Sequence, residues 1–365
     1  MEQILEMTSS TNSMIVRSLS VIIPVYNVGH YIEKCLRSLE NQDLDQHEYE
    51  IICVNDGSPD NSREVVSEIQ KEYSNIILID QDNQGVSMAR NNGIARASGK
   101  YLLFIDPDDY VEPLSLKGVI QKADNQQIQV LFLGYSVLSV TGELVRDVFN
   151  LEQSGSIFSG IESYFFARGD GKTDPDRMWA VLFNSAFLAG HSLRYLPHVP
   201  YLEDGEFIAR ILCLAERCAF DGRPFYRRTT RPGSATNSNL FNTEKAVQGF
   251  LRSALNLREF QANPDLSPGQ KDFLNQPIAK FVLLTLNSAL QSPLNISYLR
   301  IRKTLADSGF KKLQTNGVVK PYIYYVYLFN YLPQFFYLKS ISVLMKLMIK
   351  AALGFLAEVT HPKSK

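Results

Sequence analysis

The sequence predicts an α/β fold: a doubly wound, mostly parallel sheet flanked by helices, with a mainly helical C-terminal extension. Three observations predict it. Short apolar runs alternate with segments of helical length through the first third of the chain. Each run ends on polar residues, and from about residue 243 the pattern turns helical, with Pro264, Pro268, Pro277 and Pro293 as punctuation. The 365 residues, 45% hydrophobic and 21% charged, can bury a substantial core and have the composition of a folded protein.

In order, the runs are LSVIIPV (19–25), EIICV (50–54), NIILID (75–80) and KYLLFID (100–106). They are rich in Ile and Val and apolar at successive positions, which suits parallel strands covered on both faces. The segments between them, about 30–42, 60–73 and 86–97, are the crossover helices that parallel strands require. Residues 130–235 mix short strand-like and helical pieces. They hold the aromatic segment around Trp179, the acidic pair Glu203-Asp204 and the basic loop YRRTTRPGSAT (226–236).

In such a sheet ligands gather beyond the carboxyl ends of the strands. The residues found there are Tyr26-Asn27, Asp56-Gly57-Ser58 and Asp106-Pro107-Asp108-Asp109. Three aspartates within four positions repel one another unless a cation sits among them. Asp106 and Asp108 have the D-x-D spacing at which two carboxylates share a hard divalent cation, Mn²⁺ or Mg²⁺, while a diphosphate supplies further oxygens. Such an ion neutralises charge on a departing phosphate. An acidic turn in which Asp109 caps a local amide accounts for the same residues without a metal, and D-x-D alone is a common pattern.

Taken together, SVIIPVYNVGHYIEKCLRSLENQ, IICVNDGSPDNS and NQGVSMARNNGIARASGKYLLFIDPDDYVEP resemble the N-terminal half of a family 2 glycosyltransferase. These are enzymes of the A-type nucleotide-diphospho-sugar transferase fold, here of the bacterial surface-polysaccharide type. The resemblance is close over 18–115 and looser to about 235, through MWAVLFNSAFL, YLEDGEF and the Y-R-x-x-x-x-P-G-S-x-T segment. It implies a catalytic domain over 18–238, divided into a nucleotide-binding half (18–115) and an acceptor-side half (116–238), then a helical extension over 243–365. It also implies a nucleoside-diphosphate sugar donor, a UDP-sugar by preference, and an acceptor hydroxyl on a glycan or polyprenyl-linked glycan.

Carried over residue by residue, the resemblance puts Pro24 and Tyr26 at the donor, Tyr26 lying against the base and Asp56 accepting a hydrogen bond from it. Asp106 and Asp108 would meet ribose, metal and diphosphate. Arg90 would support the donor pocket, although a salt bridge tying helix to sheet explains it equally well. Asp82 reads as a loop residue. Asp204 resembles the base that takes the acceptor's proton during attack. Phe207, Ile208, Ile211 and Leu212 at helical spacing put it in the first turn of a helix, where the alternative is a capping role with Glu203 as base. Attack opposite the leaving diphosphate inverts the anomeric centre. Arg227, Arg228 and Arg231, on the basic loop, could close over the diphosphate.

Several patterns are missing. No Q-x-x-R-W motif accompanies the match, so one sugar per event is the simpler expectation. Gly171-Lys172-Thr173 imitates the end of a P-loop, but Phe166 stands where its first glycine must be. A dinucleotide-dependent oxidoreductase would need G-x-G-x-x-G where this chain reads PVYNVGHY. A catalytically inactive, membrane-associated sugar-nucleotide binding module is the alternative function, against which the presence of both acidic motifs argues.

Net charge is −1, yet residues from 301 onward carry ten basic and two acidic side chains. Their lysines are interleaved with aliphatic stretches, which suits an anionic membrane surface and not nucleic acid. PYIYYVYLFNYLPQFFYL (321–338) is uncharged, but its six tyrosines, Asn330, Pro333 and Gln334 make it a poor membrane span. With Lys346 and Lys350 four apart further on, segment 321–358 reads either as a membrane-interface element or as a helix packed on the body. Cys35, Cys53, Cys213 and Cys218 form no metal-ligand pair and read as buried thiols of a reducing compartment. The first residues lack the design of a secretory signal. The expected location is cytoplasmic, peripheral on the inner face of the cell membrane.

Overall fold

The computed structural model describes residues 17–148, 153–168, 175–230, 239–291, 294 and 296–336. Arg231, Lys346, Lys350, Gly171-Lys172-Thr173 and Pro293 lie outside the described residues, as do residues 337–358 of the membrane-interface segment and the first 16 residues.

The first third folds as a run of βα units: β1 (Leu19–Val25), α1 (Ile32–Glu40), β2 (Tyr49–Asp56), α2 (Ser62–Glu72), β3 (Ile76–Gln81), α3 (Val86–Arg96) and β4 (Tyr101–Phe104). Every residue of β1, β2 and β4 is buried, as strands sandwiched between helices must be. These four strands are parallel and ordered β3-β2-β1-β4. The chain moves outward from β1 to β3 and then returns to the other side of β1. That reversal opens a crevice at the carboxyl ends of β1 and β4, beside Tyr26 and Asp106.

The next stretch adds β5 (Tyr110–Val111), α4 (Leu116–Asn125), β6 (Val130–Leu138), β7 (Leu144–Val148), β8 (Ile157–Phe158), α5 (Gly160–Ala167), β9 (Val181–Asn184), α6 (Ser185–Gly190), α7 (Glu203–Leu214) and β10 (Cys218–Thr229). The sheet continues β4-β9-β6-β10-β5, with β9 antiparallel to both neighbours. The sheet is therefore mixed beyond its parallel half. The inversion has a use, because a strand entered from the carboxyl edge places the residues before it, Asp176 to Trp179, at that edge. Its register is fixed by Leu182, opposite Leu103 on one side and Leu131 on the other.

Residues 226–229 correct the expected basic loop. They form the end of β10, where Tyr226 and Arg227 pair with β5 and with β6. Aromatic and β-branched residues at 226 and 229 suit a strand, and the ladder on both sides outweighs the loop signal of the charges.

The helical extension follows as α8 (Glu244–Gln261), α9 (Pro268–Leu290), α10 (Tyr298–Asp307) and α11 (Tyr322–Tyr331). Pro268 starts α9, capped by a reciprocal Ser267–Gln270 pair. Pro277 does not interrupt α9, which continues through it with Phe273, Ile278, Phe281 and Val282 buried around it. Tertiary burial there outweighs the lost hydrogen bond. One hydrophobic cluster runs from the sheet face (Phe104, Phe132, Phe183) through α7 (Phe207, Ile211) into α8 and α9 (Phe250, Phe281) and α11 (Val326, Phe329). A second fills the opposite face, under α1, α2 and α4. α11 thus docks through Val326 and Phe329, while Tyr324, Tyr325, Tyr327 and Tyr331 face solvent. All four cysteines are free and buried.

Candidate functional site

The carboxyl edge of the sheet assembles three acidic groups around one guanidinium. Arg90, on α3 and only 4% exposed, donates from Nη1 to Glu203 Oε1 and Asp204 Oδ1, both at 2.8 Å, and from Nη2 to Asp106 Oδ1 at 3.1 Å. Asp106 follows β4, whereas Glu203 and Asp204 open α7, more than a hundred residues apart in sequence from Arg90. The salt-bridge reading of Arg90 is what the structure shows: a buried guanidinium that joins the two acidic motifs. Tyr195 packs against it, with the guanidinium 5.3 Å from the ring centroid and the hydroxyl donating to Asp204 Oδ1 at 3.3 Å.

One cation cannot neutralise three carboxylates, two of them nearly buried and one a third exposed, and the acidities show it. Burial pushes Asp204 up to about 7 and Asp106 up to about 6, with Arg90 opposing the rise in each. Glu203 is raised for the same reason. Burial alone would lower the guanidinium of Arg90, but Asp204, Tyr195, Glu203 and Asp106 together hold it well above its ordinary value.

Within the opening acidic turn the three aspartates separate. Asp109 turns inward, accepting from Tyr226 Oη at 2.7 Å and from the Thr229 amide at 2.7 Å, and burial pushes it up to about 8. It braces the turn against β10, through an amide distant in sequence and not the local one that the capping alternative expected. Tyr226 in turn accepts from the Asp106 amide at 3.2 Å and stacks on Trp179, ring centroids 5.1 Å apart. Asp106 and Asp108 remain partly exposed.

Among the described residues no three His, Cys, Asp or Glu side chains converge as a metal cage. Asp106 and Asp108 supply two carboxylates, and Arg90 takes only Oδ1 of Asp106. That donor set fits a hard cation whose remaining ligands come from a diphosphate.

Asp56 is held differently. Its Oδ1 accepts from Gln81 Nε2 and the Gln84 amide, both at 2.7 Å, and its Oδ2 from the Gly85 amide at 2.9 Å. Gly57, at φ 66°, makes the turn that follows. Pro24 is buried in β1 opposite Val54, while Tyr26 is 49% exposed just beyond it. Asp82 does lie in the loop after β3. Arg227 is not poised to swing: it pairs with Glu112 and donates to Ser136 Oγ at 2.8 Å. Arg228 lies over Trp179, 5.5 Å from its ring.

Sequence reasoning missed several members. Tyr195 carries no local motif. The pair of buried Lys280 with partly exposed Asp176, at 2.5 Å, ties α9 to the chain entering β9, and it explains the glycine after Asp204. A Cβ at Gly205 would stand 2.5 Å from Asp176 Oδ1. Leu202, just before the acidic pair, has φ 56°, and Ala180 and His198 nearby are also left-handed, so backbone strain gathers around this edge.

Comparison with known proteins identifies the family. The family model "Glycosyl transferase family 2" matches residues 20–181. The putative glycosyltransferase EpsH of Bacillus subtilis is 31% identical over 258 residues, covering 68% of this chain and 73% of that protein. A poly(ribitol-phosphate) beta-glucosyltransferase of Bacillus spizizenii is 42% identical over 95 residues, 26% of this chain and 15% of that protein. Several other curated relatives are likewise matched over about a third of their length or less. In fold, the chain is similar to S. aureus TarS 1–349 in complex with UDP-GlcNAc, with a TM-score of 0.65 and 20% identity over 90% of this chain and 92% of that one.

Proposed function

Since this chain belongs to glycosyl transferase family 2, we propose that it moves one sugar from a nucleoside diphosphate donor to a hydroxyl of a surface glycan, inverting the anomeric centre. The observation that carries this reading is the bridge made by Arg90, which couples the Asp106 turn to the Glu203–Asp204 pair. A donor side and a base side are thereby held at a fixed separation on one sheet edge.

In this reading Asp204 is the base. Arg90 and Tyr195 occupy its Oδ1, which orients the carboxylate and leaves Oδ2 to accept the proton of the attacking hydroxyl. Asp106 and Asp108 would hold Mn²⁺ or Mg²⁺, which supplies electrostatic stabilisation of the leaving diphosphate. Tyr26, exposed just beyond β1, would lie against the nucleoside, with Pro24 and Asp56 buried behind it. TarS is named in complex with UDP-GlcNAc, which supports a UDP-sugar donor here. The relative named for poly(ribitol-phosphate) supports a cell-surface polymer, or its lipid-linked precursor, as acceptor.

No helix among the described residues is long and apolar enough to cross a membrane. Peripheral attachment to an anionic inner leaflet rests on the outward tyrosines of α11 and the basic residues beyond them. Replacing Tyr324, Tyr327 and Tyr331 by serine should release the protein from anionic vesicles.

The test is a panel of nucleotide sugars, each scored for release of nucleoside diphosphate and for protection against thermal unfolding, with Mn²⁺, with Mg²⁺ and with chelator. One donor should protect and turn over in a metal-dependent manner. If no nucleotide sugar protected or turned over, the reading would be wrong.

A further inference from the structure

A second cleft, of about 670 Å³, opens between the first turn of α3, the loop at His198 to Pro200 and the outer face of α8. Its charged lining is entirely basic: Lys245 and Arg252, with His198 opposite and no aspartate or glutamate among the lining residues. Lys245 and Arg252 are exposed and make no ion pair among the described residues. At its floor α3 begins at Gly85 without a side-chain cap, and among the described residues the amides of Val86 and Ser87 have no acceptor. Ser87 lines the cleft, is 2% exposed, and among the described residues its Oγ has no hydrogen-bond partner.

Unpaired cations, uncapped amides and an unsatisfied buried hydroxyl facing one space are the elements of an anion site. Position identifies its occupant. Ser87 lies one helical turn from Arg90, which grips Asp204, and Pro200 lies four residues before Asp204 in the chain. The cleft therefore adjoins the base, and its wall on α8 belongs to the helical extension.

Building on the glycosyltransferase reading, the geometry points to this cleft as the acceptor's anion subsite, holding a phosphate carried by the glycan near the hydroxyl that is glycosylated. It makes the preferred acceptor a phosphate-bearing polymer and gives α8 a part in choosing it.

The test uses the full chain with glycerol 3-phosphate as probe and glycerol as neutral control. Amide resonances of Val86 and Ser87 should move on titration with the phosphate and not with glycerol. The Lys245→Ala/Arg252→Ala double variant should weaken binding at least tenfold, and Ser87→Ala should weaken it less. Saturation with a UDP-sugar should leave probe binding intact. Unchanged affinity in the double variant, equal binding of glycerol, or one-for-one displacement by UDP-sugar would each overturn the assignment. Because neither exposed side chain belongs to the Asp106 turn or pairs with it, donor protection should persist in the double variant. Its absence in the unaltered protein would instead count against the glycosyltransferase reading itself.

Discussion

Asp56 ends β2 and Asp106 follows β4, with only β1 between them on the same sheet edge, and the two carboxylates are held in opposite ways. Asp56 takes three donors from the end of β3 and the loop that follows it, two of them backbone amides, and is 3% exposed. Asp106 shares a single guanidinium with two further acids and keeps a third of its side-chain surface exposed. The first arrangement closes on itself and fixes the start of α3. The second leaves negative charge uncompensated, and that charge is what a metal–diphosphate ligand can answer. The strand ends on either side of β1 thus differ, one closed by protein donors and the other left open to a ligand.

Removing the shared cation should break the comparison most severely. Arg90→Met leaves Asp106, Glu203 and Asp204 buried around an apolar side chain, and we expect a stability loss of about 3–5 kcal/mol by denaturant titration. Transfer should fall with it, because base and donor turn lose their common anchor.

Asp204→Asn keeps the shape and most hydrogen bonds but cannot take a proton. Transfer should drop about 10³-fold while donor protection against unfolding is kept, read by coupled kinetics and thermal melts. Near-normal transfer by this variant would move the base to Glu203.

Asp56→Ala tests the self-contained side. It strands two amides and the Gln81 side chain, so the expected cost is about 2–3 kcal/mol, measured as a lowered denaturant midpoint. Residual transfer under conditions where the variant is folded should exceed that of Asp204→Asn.

How much of this was legible beforehand follows from the range of the forces involved. β1 to β4 and α1 to α3 were readable because each is specified within its own segment: LSVIIPV became β1 without a shift, and the predicted helices lie within two residues of α1, α2 and α3. The Asp106 turn was readable because strand ends converge in this topology, and the Glu203–Asp204 pair because YLEDGEF resembles the family's motif. The bridge from Arg90 to Glu203 was not, since it joins residues 113 positions apart through packing alone. The same holds for Tyr195, for Lys280–Asp176, and for β9, whose direction depends on its neighbours and not on Val181–Asn184 itself. Arg227 misled for a related reason: a charged residue reads as loop until its partner, Glu112, is known.

The smallest expected effect sharpens the comparison through pH. Asp204 acts as a base only when ionised, and burial places it at about 7, so transfer should fall about tenfold per unit as pH drops below that value. The sign for stability is opposite. Asp106 and Asp204 hold protons in the folded protein that the unfolded chain releases near its ordinary carboxylate range, so their contribution is complete below that range and is lost as pH rises through about 6 and 7. Between pH 6 and 8 the enzyme should therefore gain rate while its melting temperature declines. Asp204→Asn should remove the rate limb near 7 and flatten part of the stability slope, whereas Asp56→Ala should leave the rate limb in place. Parallel rate and melting profiles across that range decide it, and a base-independent plateau down to pH 5 would show that the proton leaves by another route.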